Sequence, residues 1–205
     1  MLAEEFGYRV LPGAALDTPG VEEILRRRER PLLLGFALLA AEAVLLVVAA
    51  VTWGPGSAAV VALAIVLVVT AAPVLLWRRA RRLERAVVTT YGWQVWPCAT
   101  ESVRVIASEG RREGGRRWGR QNRVVLLRPD GQAQCAFLPP GEGTRPDGEV
   151  WFAGDTRFGG MLAMPGGLPF RYVVRARPGG ARGTPEEDRA ARAAGLMPRS
   201  RRPRG

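Results

Sequence analysis

Glu42 is the one ionisable side chain between Leu32 and Trp77. A carboxyl in such an apolar run has two uses. It can carry a proton or ion across a membrane, or it can hydrogen-bond to a neighbouring helix. Elsewhere, residue types that do chemistry are few. The chain has no His, so no Ser-His or Cys-His nucleophile pair can form. Cys98 and Cys135 are its two Cys, too few for a four-ligand zinc site. On the side of the membrane argued below they stay reduced and serve as small buried hydrophobes. Asp155 stands among glycines in Ala153-Gly154-Asp155-Thr156-Arg157-Phe158-Gly159-Gly160, and a turn or bulge explains it better than catalysis. A catalytic reading would need a deep pocket there and a second acid such as Glu149. The sequence has no phosphate-binding loop, dinucleotide fingerprint or nucleophile elbow. The expectation is a non-enzymatic protein without cofactor or metal.

Glu42 sits mid-way along a segment that must be helical to be stable in lipid, residues 32–53. At 1.5 Å per residue this segment spans about 33 Å, enough for a hydrocarbon core of about 30 Å. A second apolar segment, 58–77, follows after Gly54-Pro55-Gly56-Ser57. Four residues force the two spans to be antiparallel neighbours. Gly35 and Ala49 lie seven residues to either side of Glu42 and share its face, a packing seam of small residues around a polar one. Its level partner on the second span falls near Val68, and Thr70 is the nearest hydroxyl. Helix packing, including contacts between copies, is favoured over transport, because two helices enclose no path. Pro73 is expected to kink the second span.

Arginine placement orients the pair. All 30 basic residues are Arg, the net charge is +11, and Lys is absent. Asn occurs once and Ile three times, the bias of a GC-rich coding sequence, so the positions of the arginines say more than their number. Arg26, Arg27, Arg28 and Arg30 precede the first span, and Arg78, Arg79, Arg81, Arg82 and Arg85 follow the second. The connecting loop has none. The positive-inside rule puts both termini in the cytoplasm of a cell-membrane protein. Trp53 and Trp77 suit the headgroup zone at the span ends.

The remaining chain reads as a cytoplasmic part. Residues 1–31 form an N-terminal segment in which Thr18-Pro19 resembles a helix start. Residues 78–85 continue the second span as a basic stub. Residues 86–178 carry short apolar runs at 102–108, 124–127, 132–138, 150–153, 161–164 and 170–177, with Pro129-Asp130-Gly131 as a hairpin turn. In the last run Phe170, Tyr172, Val174 and Ala176 oppose Arg171, Val173, Arg175 and Arg177. Five or six strands in that length predict a small all-β domain, an antiparallel barrel or two-layer sheet of SH3 or OB size. Residues 179–205 form a basic tail expected to be mostly disordered, with a short helix opened by the capping box Thr184 to Glu187 and stopped at Gly195.

A loop over 109–123 carries Arg111, Arg112, Arg116, Arg117, Trp118 and Arg120. With Arg78, Arg79, Arg81 and Arg82 they form a candidate contact for an anionic surface. Beside a membrane, lipid headgroups are favoured over nucleic acid stacked on Trp118.

The stretches GWQVWPC at 92–98 and VWFAGDTRFGGMLAMPGG at 150–167, with the basic tail, resemble uncharacterised two-span membrane proteins of high-GC actinobacteria. That resemblance implies topology and no catalytic residue. By layout alone the chain also resembles the NfeD family, which hangs an OB-like domain from membrane helices. The expectation is an integral membrane protein anchoring a cytoplasmic β domain. The domain binds a protein partner or the anionic membrane surface, and the hairpin can self-associate. A transporter or channel-like subunit using Glu42, and a membrane-tethered nucleic-acid binder, are the alternatives.

Overall fold

A computed structural model of the chain describes residues 3–106, 118–138, 148–176 and 183–197. It divides into two compact units, Glu22–Arg85 and the combination of Met1–Val21 with Ala86–Gly205.

Two helices, α1 (Val21–Trp53) and α2 (Ala58–Thr90), supply the first unit. Each has 33 residues, about 50 Å at 1.5 Å per residue. An 18-residue stretch of each, with mean hydropathy 2.6 in α1 and 2.9 in α2, makes both long and apolar enough to cross a membrane. Each runs unbroken through its proline, Pro31 in α1 and Pro73 in α2. The helix expected to open at Pro19, capped by Thr18, starts two residues later, at Val21. Gly20 adopts φ +86°, which a helix cannot continue through, and the Val21 amide donates to the Thr18 carbonyl. Less exposed positions recur at 32, 35, 39, 42, 46 and 49 on α1 and at 60, 63, 67, 70 and 74 on α2. That alternating spacing of three and four is the seam of two packed helices. The rest of each apolar stretch faces outward.

The second unit is built on a closed antiparallel barrel of six strands. The strands are β1 (Gln94–Ile106), β2 (Trp118–Leu127), β3 (Ala133–Leu138), β4 (Gly148–Asp155), β5 (Gly159–Ala163) and β6 (Phe170–Arg175). Their order around the barrel is β1-β2-β3-β6-β5-β4. Two three-stranded meanders are therefore joined edge to edge, β3 to β6 and β4 to β1. The expected turn joins β2 to β3: Gly131 takes φ +78°, and Asp130 Oδ1 accepts from the Gln132 amide. Trp96, Cys98, Val124, Leu126, Phe137 and Phe152 are among the interior residues. Phe137 and Phe152 come from strands that do not pair, and their rings stack at 4.9 Å, so the two meanders meet through the core. On β6 it is Val173 that enters the core, while Val174 is 56% exposed and Phe170 is buried on the outer face.

Two expectations are corrected here. Residues 1–31 were expected as a lead-in to the first span, but residues 3–21 fold with the barrel. The Val95 amide donates to Arg9 O, Leu11 N to Trp93 O and Ala15 N to Tyr91 O, so the segment runs along the start of β1. Phe6 and Tyr8 pack their rings on Trp96 at 5.7 and 5.2 Å. Thr18, expected as a helix cap, instead accepts a hydrogen bond from Trp93 Nε1 at 2.9 Å. Residues 118–123 of the loop expected over 109–123 are strand, and 109–117 lie outside the described residues. β2 begins at Trp118, and its first residues pair with the end of β1, Trp118 opposite Ile106 and Arg120 opposite Arg104.

The tail holds the expected helix, α3 (Pro185–Ala193). Thr184 caps it, its oxygen accepting from the Glu187 amide at 3.2 Å, and Glu187 Oε2 accepts from the Thr184 amide at 2.7 Å. Gly195 at φ +70° ends it. Residues 183–197 are thus ordered, and the disorder expected of 198–205 falls outside the described residues.

Candidate functional site

The hairpin seam brings Glu42 and Thr70 together. Thr70 Oγ1 donates to Glu42 Oε2 at 2.5 Å and also lies 2.9 Å from the Val66 carbonyl of its own helix. The level partner of Glu42 is thus Thr70, two residues beyond Val68. Gly35 and Ala49 lie on the same seam, as expected. A Cβ on Gly35 would sit 3.1 Å from Val74 Cγ2, and Ala49 is 4% exposed. The small residues let the helices close around a polar pair, an arrangement suited to holding two helices in register.

At the basic end of the hairpin some arginines are engaged. Glu84 is buried, 2.5 Å from Arg81 and 3.6 Å from Arg28. Arg85 approaches Glu29 at 3.5 Å, and the Arg78 guanidinium lies 5.4 Å from the centre of the Phe36 ring. Arg78, Arg79 and Arg82 are exposed. The anionic-surface role expected of Arg81 competes with its pairing to Glu84. Arg111, Arg112, Arg116 and Arg117 lie outside the described residues, and Trp118 and Arg120 are placed only by the backbone of β2.

In the barrel, Asp155 ends β4 and opens the tight connection to β5. Its Oδ1 accepts from the Arg157 amide at 2.8 Å, the bond that shapes the turn. The Arg157 side chain folds back on the same carboxylate, Nε to Oδ1 at 3.0 Å and Nη2 to Oδ2 at 2.7 Å. Its Nη1 reaches Asp188 on α3 at 2.7 Å. Arg157 and Asp155 are 4% and 3% exposed, so this is a buried bidentate pair with a second, partly exposed carboxylate, Asp188. Hydrogen bonds to Asp155 hold the Arg157 guanidinium above the ordinary arginine range. With both oxygens engaged, Asp155 holds Arg157, whose guanidinium bridges β4 to α3. The expected glycine requirement holds. A Cβ on Gly154 would meet Gly159 O at 2.5 Å, one on Gly160 would strike Ala153 O, and one on Gly183 would strike the Arg157 guanidinium.

Glu149 does not approach Asp155. The two are six residues apart on one strand, about 20 Å at 3.3 Å per residue. Asp155 instead shares with Glu187 and other acids the lining of a cavity of about 340 Å³, with Tyr91 on its wall. Sequence reasoning missed Tyr91, Arg157 and Asp188. An Asp and an Arg two apart across a turn were a readable signal. Tyr91, in the junction between helix and strand, gave none.

The two thiols sit in one row of the barrel. Cys98 pairs with Leu126, and Leu126 with Cys135. One strand separates them, so their Cα atoms are about 9.6 Å apart, beyond the reach of a disulfide. Both are buried and outside any disulfide, and burial pushes the Cys135 thiol up to about 12.

No family model, curated protein or solved structure matches the chain.

Proposed function

We propose that the protein is a non-enzymatic membrane anchor: α1 and α2 cross the cell membrane as a hairpin, and the β-barrel stands on the cytoplasmic side against anionic lipid. One observation carries this reading. Among the described residues, every large apolar side chain that is strongly exposed, apart from Val174, lies on α1 or α2, between Leu33 and Trp77. A soluble monomer does not leave so continuous an apolar surface in water, whereas a bilayer covers it without cost. The arginines gather at the open end of the hairpin and the turn has none, which by the positive-inside rule puts that end in the cytoplasm. Exposed Arg78, Arg79 and Arg82 then lie at headgroup level, each worth about 1 kcal/mol toward acidic lipid. The pairing of Glu42 with Thr70 inside the hairpin favours a packing role for that carboxyl over a transport path.

The test is reconstitution of the full chain into nanodiscs of neutral or acidic lipid. The protein should resist alkaline extraction from cell membranes, and it should unfold at higher denaturant in acidic discs. Replacing Arg78, Arg79 and Arg82 by Gln should remove most of that difference. Release by alkali would refute the anchor; an acidic-lipid gain untouched by the triple change would refute the arginine contact.

A further inference from the structure

Glu42 has one carboxyl oxygen met within the hairpin and one that is not. Oε2 accepts from Thr70 Oγ1, while Oε1 has no hydrogen-bond partner among the described residues. Nor is Oε1 sealed in the seam, because the Glu42 side chain is partly exposed at the hairpin surface. Leu38 and Leu45, one helical turn before and after it, are 53% and 57% exposed, so the stripe of α1 that holds Glu42 is open on that side. In lipid there is no water to satisfy such an oxygen, and leaving it unmet is costly. A partner must therefore bring a hydrogen-bonding group to the same depth. Apart from the indoles of Trp53 and Trp77 at the span ends, residues 32–53 and 58–77 hold three side chains able to hydrogen-bond: Glu42, Thr52 and Thr70. Thr52 donates within its own helix, to Val48 O at 3.0 Å, and Thr70 is taken by Glu42 and Val66 O. What a second copy of the hairpin has to spare is its own Glu42.

We propose that two copies of the chain pair in the membrane through Glu42, the open oxygen of one carboxyl against that of the other, with Leu38 and Leu45 packed around the contact. A two-fold axis along the membrane normal brings every residue level with its own copy, so the two carboxyls meet without a shift in depth. The bond runs from an O–H to an oxygen, so the two carboxyls must hold at least one proton between them. With both ionised the contact would be repulsive, and no other ionisable side chain between Leu32 and Trp77 could offset it. The pairing rests on the reading of α1 and α2 as membrane spans and extends it from a single anchor to a dimeric one. Every residue in the argument belongs to the hairpin unit.

The test uses the full chain with Ser57→Cys in the hairpin turn, labelled in separate batches with donor and acceptor dyes and reconstituted together into vesicles of uncharged lipid. Cys98 and Cys135, both buried, stay unlabelled. Energy transfer is followed as added lipid dilutes the protein, and the parent should show transfer that falls as a two-body equilibrium. Glu42→Val should weaken pairing about tenfold, the scale of one or two hydrogen bonds between membrane helices. Glu42→Gln, whose amide both donates and accepts, should still pair. Thr70→Val breaks the same bond inside the hairpin but leaves Glu42 in place, so it too should pair, which separates pairing from hairpin stability. A monomeric parent, full pairing in Glu42→Val, or a loss in Thr70→Val equal to that in Glu42→Val would each overturn the proposal. Release from cell membranes by alkali would refute the anchor as well, whereas an embedded chain without energy transfer would refute the pairing alone.

Discussion

Thr70 Oγ1 lies 2.5 Å from Glu42 Oε2, so the one ionisable group of the apolar spans is met from within its own hairpin. An amide at position 42 keeps an oxygen able to accept from Thr70, whereas an aliphatic side chain does not. Glu42→Gln should therefore leave hairpin stability nearly unchanged. Glu42→Val and Thr70→Val should each cost about 0.6–1.7 kcal/mol in detergent unfolding, the range for hydrogen bonds between membrane helices. The double variant should cost little more than either single one. Additive losses would show that the two side chains do not act as a pair.

The buried thiols make topology easy to read. Cys135 titrates near 12, so at pH 8 about one thiol in 10⁴ is ionised, and both Cys are buried. Neither should react with a maleimide while the barrel is folded, and both should react in denaturant. Against that silent background, Ser57→Cys in the hairpin turn should label in intact cells with a membrane-impermeant maleimide. Arg189→Cys on exposed α3 should label only after permeabilisation. The reverse pattern would invert the proposed orientation.

What was legible in the sequence is what local pattern decides. The 54–57 breaker, the 129–131 turn and the Thr184 cap specify their neighbours through backbone geometry alone, and all three stand where expected. The face of Glu42 was legible too, because helical spacing carries Gly35 and Ala49 with it. Long-range pairing was not. Nothing local tells residues 9–15 to lie along the start of β1, since their bonds are backbone to backbone and carry no side-chain signature. Gly92 is the visible trace of that contact: a Cβ there would fall 2.7 Å from Gly13 O. On β6 the alternation was readable but not its sense, because Phe170 finds cover outside the barrel and leaves the interior to Val173. The cavity was hidden for the same reason. Its wall draws on the N-terminal segment, the end of α2, β4 and α3, far apart in sequence.

The β4–β5 hairpin depends on absent side chains. Gly154 and Gly160 are opposed across the ladder, and a Cβ on either meets the backbone of the other strand. Backbone cannot swing aside as a side-chain tip can. Gly154→Ala and Gly160→Ala should each destabilise the barrel by about 2–4 kcal/mol, at the upper end of ordinary single changes. Gly166→Ala, at φ +94° with nothing within 4 Å of the added carbon, should cost about 1–2 kcal/mol from backbone strain alone. Chemical denaturation followed by tryptophan fluorescence ranks the three, and equal losses would remove the steric explanation.

Arg157 offers the sharpest test of how α3 is held. Its guanidinium bridges Asp155 on β4 and Asp188 on α3, and only Asp188 has much solvent to turn to, at 28% exposure against 3%. Removing the arginine strands a buried carboxylate, so Arg157→Met should cost about 3–5 kcal/mol. Asp188→Asn removes only the partly exposed limb and should cost about 1 kcal/mol or less. The combined Asp155→Leu, Arg157→Met change removes both charges and should recover part of the loss, although the Arg157 amide then loses its Oδ1 acceptor. Lysine at 157 cannot form the two-pronged bond and should fall between the arginine and methionine forms. Because α3 contributes Glu186 and Glu187 to the cavity, protease sensitivity at residues 183–197 should rise in the same order as stability falls. A uniform rise in all four variants would show that α3 is held by its apolar residues, Ala191 and Ala194, and not by the ion bridge.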